Sequence, residues 1–131
     1  MARLTVVDAS VLLAWLGPAE PHHGVATEEL REARSTGDLA IPVMAFAEAL
    51  VRPYRQGAPA GRRVERKLTE IARVVPTSIE IGRRAAQLRA GGSIKLPDAL
   101  VVATGLELRA GAILTLDERL SGIDRSVRVL C

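Results

Sequence analysis

Four carboxylates stand in stretches that give them little polar company: Asp8, Glu48, Asp98 and Asp117. Asp8 closes the apolar run Leu4-Thr5-Val6-Val7. Glu48 is the only charged residue between Val43 and Val51. Asp98 follows Pro97 and precedes Leu100, Val101, Ala103 and Leu106. Asp117 follows Leu114-Thr115-Leu116. Each has an ordinary use. Asp8 can cap a helix starting at Ala9, with Ser10 sharing the task. Glu48 can lie on an exposed stripe. Asp98 gains roughly 0.3–1 kcal/mol from the macrodipole of the helix it begins. Asp117 can cap a short helix starting at Glu118, and Thr115 with Glu118 matches a capping box. Taken together the four suggest more. Carboxylates brought together repel, and burial sharpens the repulsion, so a cluster persists when a cation neutralises it. Cys131 is the only cysteine, and His22-His23 lie apart from the acids. An all-oxygen site suits Mg²⁺ or Mn²⁺, which leaves positions open for phosphate oxygens. Such an ion polarises phosphorus, generates hydroxide and steadies a leaving oxygen.

The elements that must position these acids can be read from hydrophobic periodicity. Leu4–Val7 reads as a buried strand, and Ala9–Leu16 as a helix stopped by Gly17-Pro18. A second helix runs from His22 to Ser35, and Leu39–Ile41 is a second strand. Val43–Arg55 is a third helix. Gly57–Gly61 reads as a loop and Arg62–Arg73 as an amphipathic helix. Val74-Val75 is a very short strand. Ser78 caps a helix to Arg89, and Pro97 opens one over 97–109 at its first position. Ala112–Thr115, a short helix from Glu118 and the strand Val127–Leu130 complete the pattern. Short apolar strands alternating with helices predict an α/β fold with a mostly parallel central sheet of about five strands, covered on both faces. Ligands in such folds bind beyond the carboxyl ends of the strands, where Asp8 and Asp117 fall.

Composition narrows the field. With 131 residues, 48% of them hydrophobic, the chain reads as a single domain over 1–131. Trp15, Phe46 and Tyr54 are the only aromatics, too few for a base-stacking platform. One cysteine excludes an internal disulfide. No signal pattern or membrane-length apolar run is present, so a cytoplasmic location with no membrane association is expected. His22 and His23, being adjacent, make a poor chelate. Lys95 reads as a surface lysine and Trp15 as a packing residue.

Here the sequence resembles the PIN-domain nucleases, and within them the VapC-type toxins of toxin–antitoxin pairs. The likeness is carried by Val7-Asp8-Ala9-Ser10, Ala47-Glu48-Ala49-Leu50, Leu96-Pro97-Asp98-Ala99-Leu100-Val101-Val102-Ala103-Thr104 and Leu114-Thr115-Leu116-Asp117. It spans nearly the whole chain. It implies a three-layer α/β/α sandwich and a Mg²⁺- or Mn²⁺-dependent endoribonuclease, usually a homodimer. It also implies inhibition by a small VapB-type antitoxin that binds DNA. By the same resemblance Asp8, Glu48 and Asp98 hold the principal metal. Asp117 reaches it through water or helps bind a second ion. Ser10 is the hydroxyl supporting the first acid.

The net charge of +3 is unevenly spread. Between Arg52 and Arg73 lie Arg52, Arg55, Arg62, Arg63, Arg66, Lys67 and Arg73 against Glu65 and Glu70. Arg62 with Arg66 and Arg63 with Lys67 are like-charge i,i+4 pairs, which cost a few tenths of a kcal/mol each unless a polyanion binds them. RNA phosphates are the expected partner; packing against a second subunit or the antitoxin is the competing use. Two other functions compete with the nuclease. One is a PIN-like domain that binds RNA without cutting it. The other is a phosphoryl-transfer domain with an aspartate nucleophile at Asp8. A dehalogenase-like phosphatase wants a second Asp where Ser10 stands, and a receiver domain wants paired acids after the first strand. A dinucleotide-binding fold wants a Gly-rich turn, which Ala9-Ser10-Val11-Leu12 does not supply.

Overall fold

The computed structural model describes residues 3–131. Five parallel strands, β1 (Arg3–Val7), β2 (Gly37–Pro42), β3 (Arg73–Val75), β4 (Ala112–Thr115) and β5 (Val127–Val129), form one sheet in the order β3-β2-β1-β4-β5. Between them lie α1 (Ala9–Leu16), α2 (His23–Thr36), α3 (Val43–Gln56), α4 (Ala58–Ile71), α5 (Ile79–Ala90) and α6 (Leu96–Glu107), with a single 3-10 turn at Glu118–Leu120.

The layers are set by chain direction. β1 to β2 and β2 to β3 step the same way across the sheet. Right-handed crossovers therefore put α1 to α4 on one face. β3 to β4 steps back over two strands, so α5 and α6 cover the other. Accordingly α2 packs on β1 and β2, α3 on β2 and β3, and α6 on β1, β2 and β4. This is the three-layer α/β/α arrangement expected from the sequence. The central strands are nearly all apolar because both faces are covered: Val6, Val7, Leu39, Ala40, Ile41, Ile113 and Leu114 are all buried. α6 is buried on most of its circumference, through Ala99, Val101, Val102, Ala103, Thr104 and Gly105.

Several boundaries differ from those read in the sequence. The expected loop 57–61 is one residue long. Gly57, at φ +134°, joins α3 directly to α4, which begins at Ala58 rather than Arg62. Pro59 falls in the first helical turn, where its missing N–H costs nothing, so it starts the helix instead of breaking it. Gly61 is buried because the Tyr54 ring lies against it, where a Cβ would sit. α4 ends at Ile71, and β3 begins at Arg73. Pro97 is the second residue of α6, not the first; Lys95 is its N-cap, and the helix ends at Glu107. α2 begins at His23, β2 spans six residues, and β5 ends at Val129. Among the described residues no helix is long and apolar enough to cross a membrane.

Candidate functional site

The strand order reverses at β1, whose chain neighbour β2 lies on one side while β4 lies on the other. A crevice therefore opens beyond the carboxyl ends of β1 and β4. The register pairs Val7 with Leu114, and one further step sets Asp8 opposite Thr115. The Asp8 N–H continues the ladder by donating to the Leu114 carbonyl at 2.9 Å.

Asp8 is 5% exposed, and a charge so placed needs partners. Its Oδ2 accepts from Ser10 Oγ and from Thr115 Oγ1, each at 2.8 Å. Each hydroxyl also accepts one bond. Ser10 Oγ takes the Leu116 N–H at 2.9 Å, and Thr115 Oγ1 takes the Asp117 N–H at 3.0 Å. The two strand ends are thus knitted to one carboxylate oxygen, while Oδ1 receives neither hydroxyl. Asp8 occupies the N-cap position of α1 but makes no capping bond. The ordinary capping use is therefore unfilled, and Ser10 serves the carboxylate instead.

Glu48 projects from the middle of α3 and Asp98 from the first turn of α6. The ionised form of each is disfavoured. Glu48 is pushed up first by lost hydration, then by the charges of Asp8 and Asp98. Asp98 is pushed up by lost hydration, then by Asp8 and Asp117, with Arg119 and Lys95 opposing. Four acids from four separate elements therefore share one field. Asp117 differs from the others. Its carboxyl is held below the usual range, chiefly by its hydrogen bonds with Arg119. Arg119 donates to it from Nε at 3.0 Å, from Nη2 at 2.8 Å and from its backbone N–H at 3.0 Å. The last bond caps the 3-10 turn, so the ordinary use of Asp117 is filled. The capping box is not formed, because Thr115 receives the N–H of Asp117.

Among the described residues no three His, Cys, Asp or Glu side chains stand in ready metal-ligating geometry. The donor set nevertheless fits a hard cation. It is all oxygen, Asp8 is fixed by hydroxyls on one oxygen only, and Glu48 and Asp98 are both repelled by the charge of Asp8, a repulsion that a cation would relieve.

Beside the acids a groove of about 840 Å³ runs between α1, α3 and α4. Ser10, Glu48 and Leu116 line it together with Arg52, Arg55, Arg63 and Lys67. Of the four basic residues singled out on α4, Arg63 and Lys67 line the groove; Arg62 and Arg66, on the adjoining stripe, do not. Lys67 Nζ stands 5.7 Å from the Trp15 ring centroid, so the half-buried indole packs beneath a cation. His23 is occupied structurally, with Nδ1 2.9 Å from the Ala14 carbonyl oxygen. Lys95, read as a plain surface lysine, extends its field to both Asp98 and Asp117.

Two residues of the site do not stand out in the sequence. Thr115 is visible there as a strand residue and as a capping-box match with Glu118, and finding its bond to Asp8 needs the β1–β4 register. Arg119 is detectable in principle, because a residue two beyond an N-cap aspartate sits where its N–H meets that carboxylate.

A family model for the PIN domain matches residues 5–126. No curated protein sequence matches the chain. Among solved structures, a toxin–antitoxin complex from Klebsiella pneumoniae superposes with a TM-score of 0.75 at 22% identity, covering 95% of this chain and 96% of that one. VapBC2 of Rickettsia felis, bound to a DNA fragment from its promoter, gives 0.80 at 12% identity over 98% and 99% of the two chains. VapC20 of Mycobacterium tuberculosis, a toxin cleaving the sarcin–ricin loop, gives 0.71 at 18% identity over 89% and 92%.

Proposed function

The chain belongs to the PIN domain family, and from that premise we propose that it is a divalent-metal-dependent endoribonuclease acting as the toxin of a VapBC-type toxin–antitoxin pair. The observation that carries this reading is the buried Asp8, clamped by Ser10 and Thr115 at the switch point of the sheet and coupled to Glu48 and Asp98. A structural acid would need no second and third acid raised in its field. The likeness to toxins solved with their antitoxins supports the pairing with a VapB-type protein.

Asp8, Glu48 and Asp98 would hold the ion, Mg²⁺ or Mn²⁺, with Asp117 at the edge of the set. Such an ion, when bound, supplies an activated water and Lewis-acid polarisation of the phosphorus centre. The protein's own residues do the positioning. Ser10 and Thr115 fix Asp8 Oδ2 so that the carboxylate does not rotate. Thr115 also sets the loop that carries Asp117. Arg63 and Lys67, with Arg52 and Arg55, supply positive charge beside an acidic centre that would otherwise repel RNA. The resemblance to VapC-type toxins supports a homodimer, a state that light scattering reads directly.

The test is cleavage of a single-stranded RNA substrate pool by purified protein in Mn²⁺ and in EDTA. Cleavage in Mn²⁺, its loss in EDTA and its loss in Asp98→Asn are the expected results. RNA binding without cleavage in either condition would replace the nuclease with a binding domain.

A further inference from the structure

Asp117 and Arg119 form a unit unlike the rest of the acidic group. Both oxygens of Asp117 are taken, Oδ1 by Nε and the backbone N–H of Arg119, Oδ2 by Nη2. Asp8 keeps one oxygen clear of its hydroxyls; Asp117 keeps none clear of its arginine. The guanidinium has five N–H groups and spends two on Asp117, so three remain. Its side chain is 69% exposed while that of Asp117 is 20% exposed, so the unspent donors face solvent. The unit is also indexed to the centre. Arg119 bonds Asp117, the Asp117 N–H bonds Thr115 Oγ1, and Thr115 Oγ1 bonds Asp8 Oδ2. A planar fork fixed on one edge, with its other edge open beside acids, matches a phosphate group.

We propose that Arg119 is a substrate-phosphate ligand at the acidic centre, and that Asp117 is its holder rather than a ligand of the cation. The proposal rests on the nuclease reading above and refines one of its residues. It answers a question that reading leaves open, namely what draws a phosphate to Asp98 and Asp117, which do not line the basic groove. The competing account is structural: Arg119 only clamps the 3-10 turn.

The test uses a short fluorescent single-stranded RNA of mixed sequence, in Ca²⁺, over a range of salt concentrations. Arg119→Ala is expected to weaken binding about tenfold and to reduce the log–log salt slope by about 0.7. Arg119→Lys recovers part of the affinity, because it keeps the charge and loses the fork. Removing Arg119 also releases the negative charge of Asp117, so the double variant Arg119→Ala with Asp117→Asn is decisive. It is expected to bind as weakly as Arg119→Ala. Recovery to wild-type affinity in the double variant, or an Arg119→Ala affinity within twofold of wild type, would overturn the assignment. The holder role is read separately by Mn²⁺ calorimetry. Asp117→Asn should stay within about threefold of wild type while Asp98→Asn loses more than tenfold. Equal losses would overturn the holder role. No loss in Asp98→Asn would instead strike the metal reading on which the proposal stands.

Discussion

Thr115→Val isolates the clamp on Asp8. Valine keeps the β-branch and the shape of a strand residue that is fully buried, so packing is little changed. What is lost is one hydroxyl with two bonds. Its donation to the Asp8 carboxylate, at 2.8 Å, is a hydrogen bond to a charged group and contributes about 1.5–3 kcal/mol. Its acceptance of the Asp117 N–H, at 3.0 Å, adds about 1 kcal/mol. The expected destabilisation is about 3 kcal/mol. For a chain of this size that is a fall in Tm of about 10 °C. Urea denaturation gives the free energy, and a double-mutant cycle with Asp8→Ala gives its origin. Once the carboxylate is gone, Thr115→Val should cost only about 1 kcal/mol. A single-variant loss below about 0.5 kcal/mol, or the same loss with and without Asp8, would refute the clamp.

The other expectations concern charge. Asp98→Asn should stabilise the metal-free protein at neutral pH, measured by thermal unfolding in EDTA. The folded state holds the Asp98 proton more tightly than the unfolded state, so wild-type stability falls as pH rises from the ordinary aspartate range, about 4, through the raised value. The asparagine variant escapes that penalty, and its advantage should vanish below the ordinary range. An advantage that persists in acid would assign it to something other than this carboxyl. Mg²⁺ should raise the Tm of wild type and leave that of Asp98→Asn unchanged. The two stripes of α4 should also separate. Arg63→Ala with Lys67→Ala should weaken RNA binding and lower its salt slope by about 1.4, whereas Arg62→Ala with Arg66→Ala should change both little. A larger effect from Arg62 and Arg66, or a change in oligomeric state from either pair, would assign that stripe to another surface.

Much of the architecture is legible in the sequence because its signals are local. The strands are short apolar runs, and parallel strands buried on both faces need nothing subtler. The ends of elements are harder. Gly57 to Gly61 contains two glycines and a proline and reads as a loop by composition. Pro59 in a first helical turn and Tyr54 over Gly61 turn it into the start of α4. The four acids can be picked out because each is conspicuous in an apolar context. Their division of labour cannot. That Asp8 is clamped, that Glu48 is pushed up by burial and by Asp8 and Asp98, that Asp98 is pushed up by burial and by Asp8 and Asp117, and that Asp117 is neutralised by Arg119 all depend on proximities made only in the folded chain. The basic stripe shows the same limit. Sequence offers two adjoining i,i+4 pairs, and only the packing of α4 against α3, with α1 across the groove, separates Arg63 and Lys67 from Arg62 and Arg66.

The proposed chemistry stands on Asp8, Glu48 and Asp98 jointly binding a divalent cation. A crystal of the protein grown with Mn²⁺ and measured for anomalous scattering would read this without intermediaries. The expected result is a peak bonded to Asp8 through Oδ1, with Glu48 and Asp98 as its other carboxylate ligands and Asp117 still paired with Arg119. A crystal saturated with Mn²⁺ that shows no peak among these three acids would contradict it.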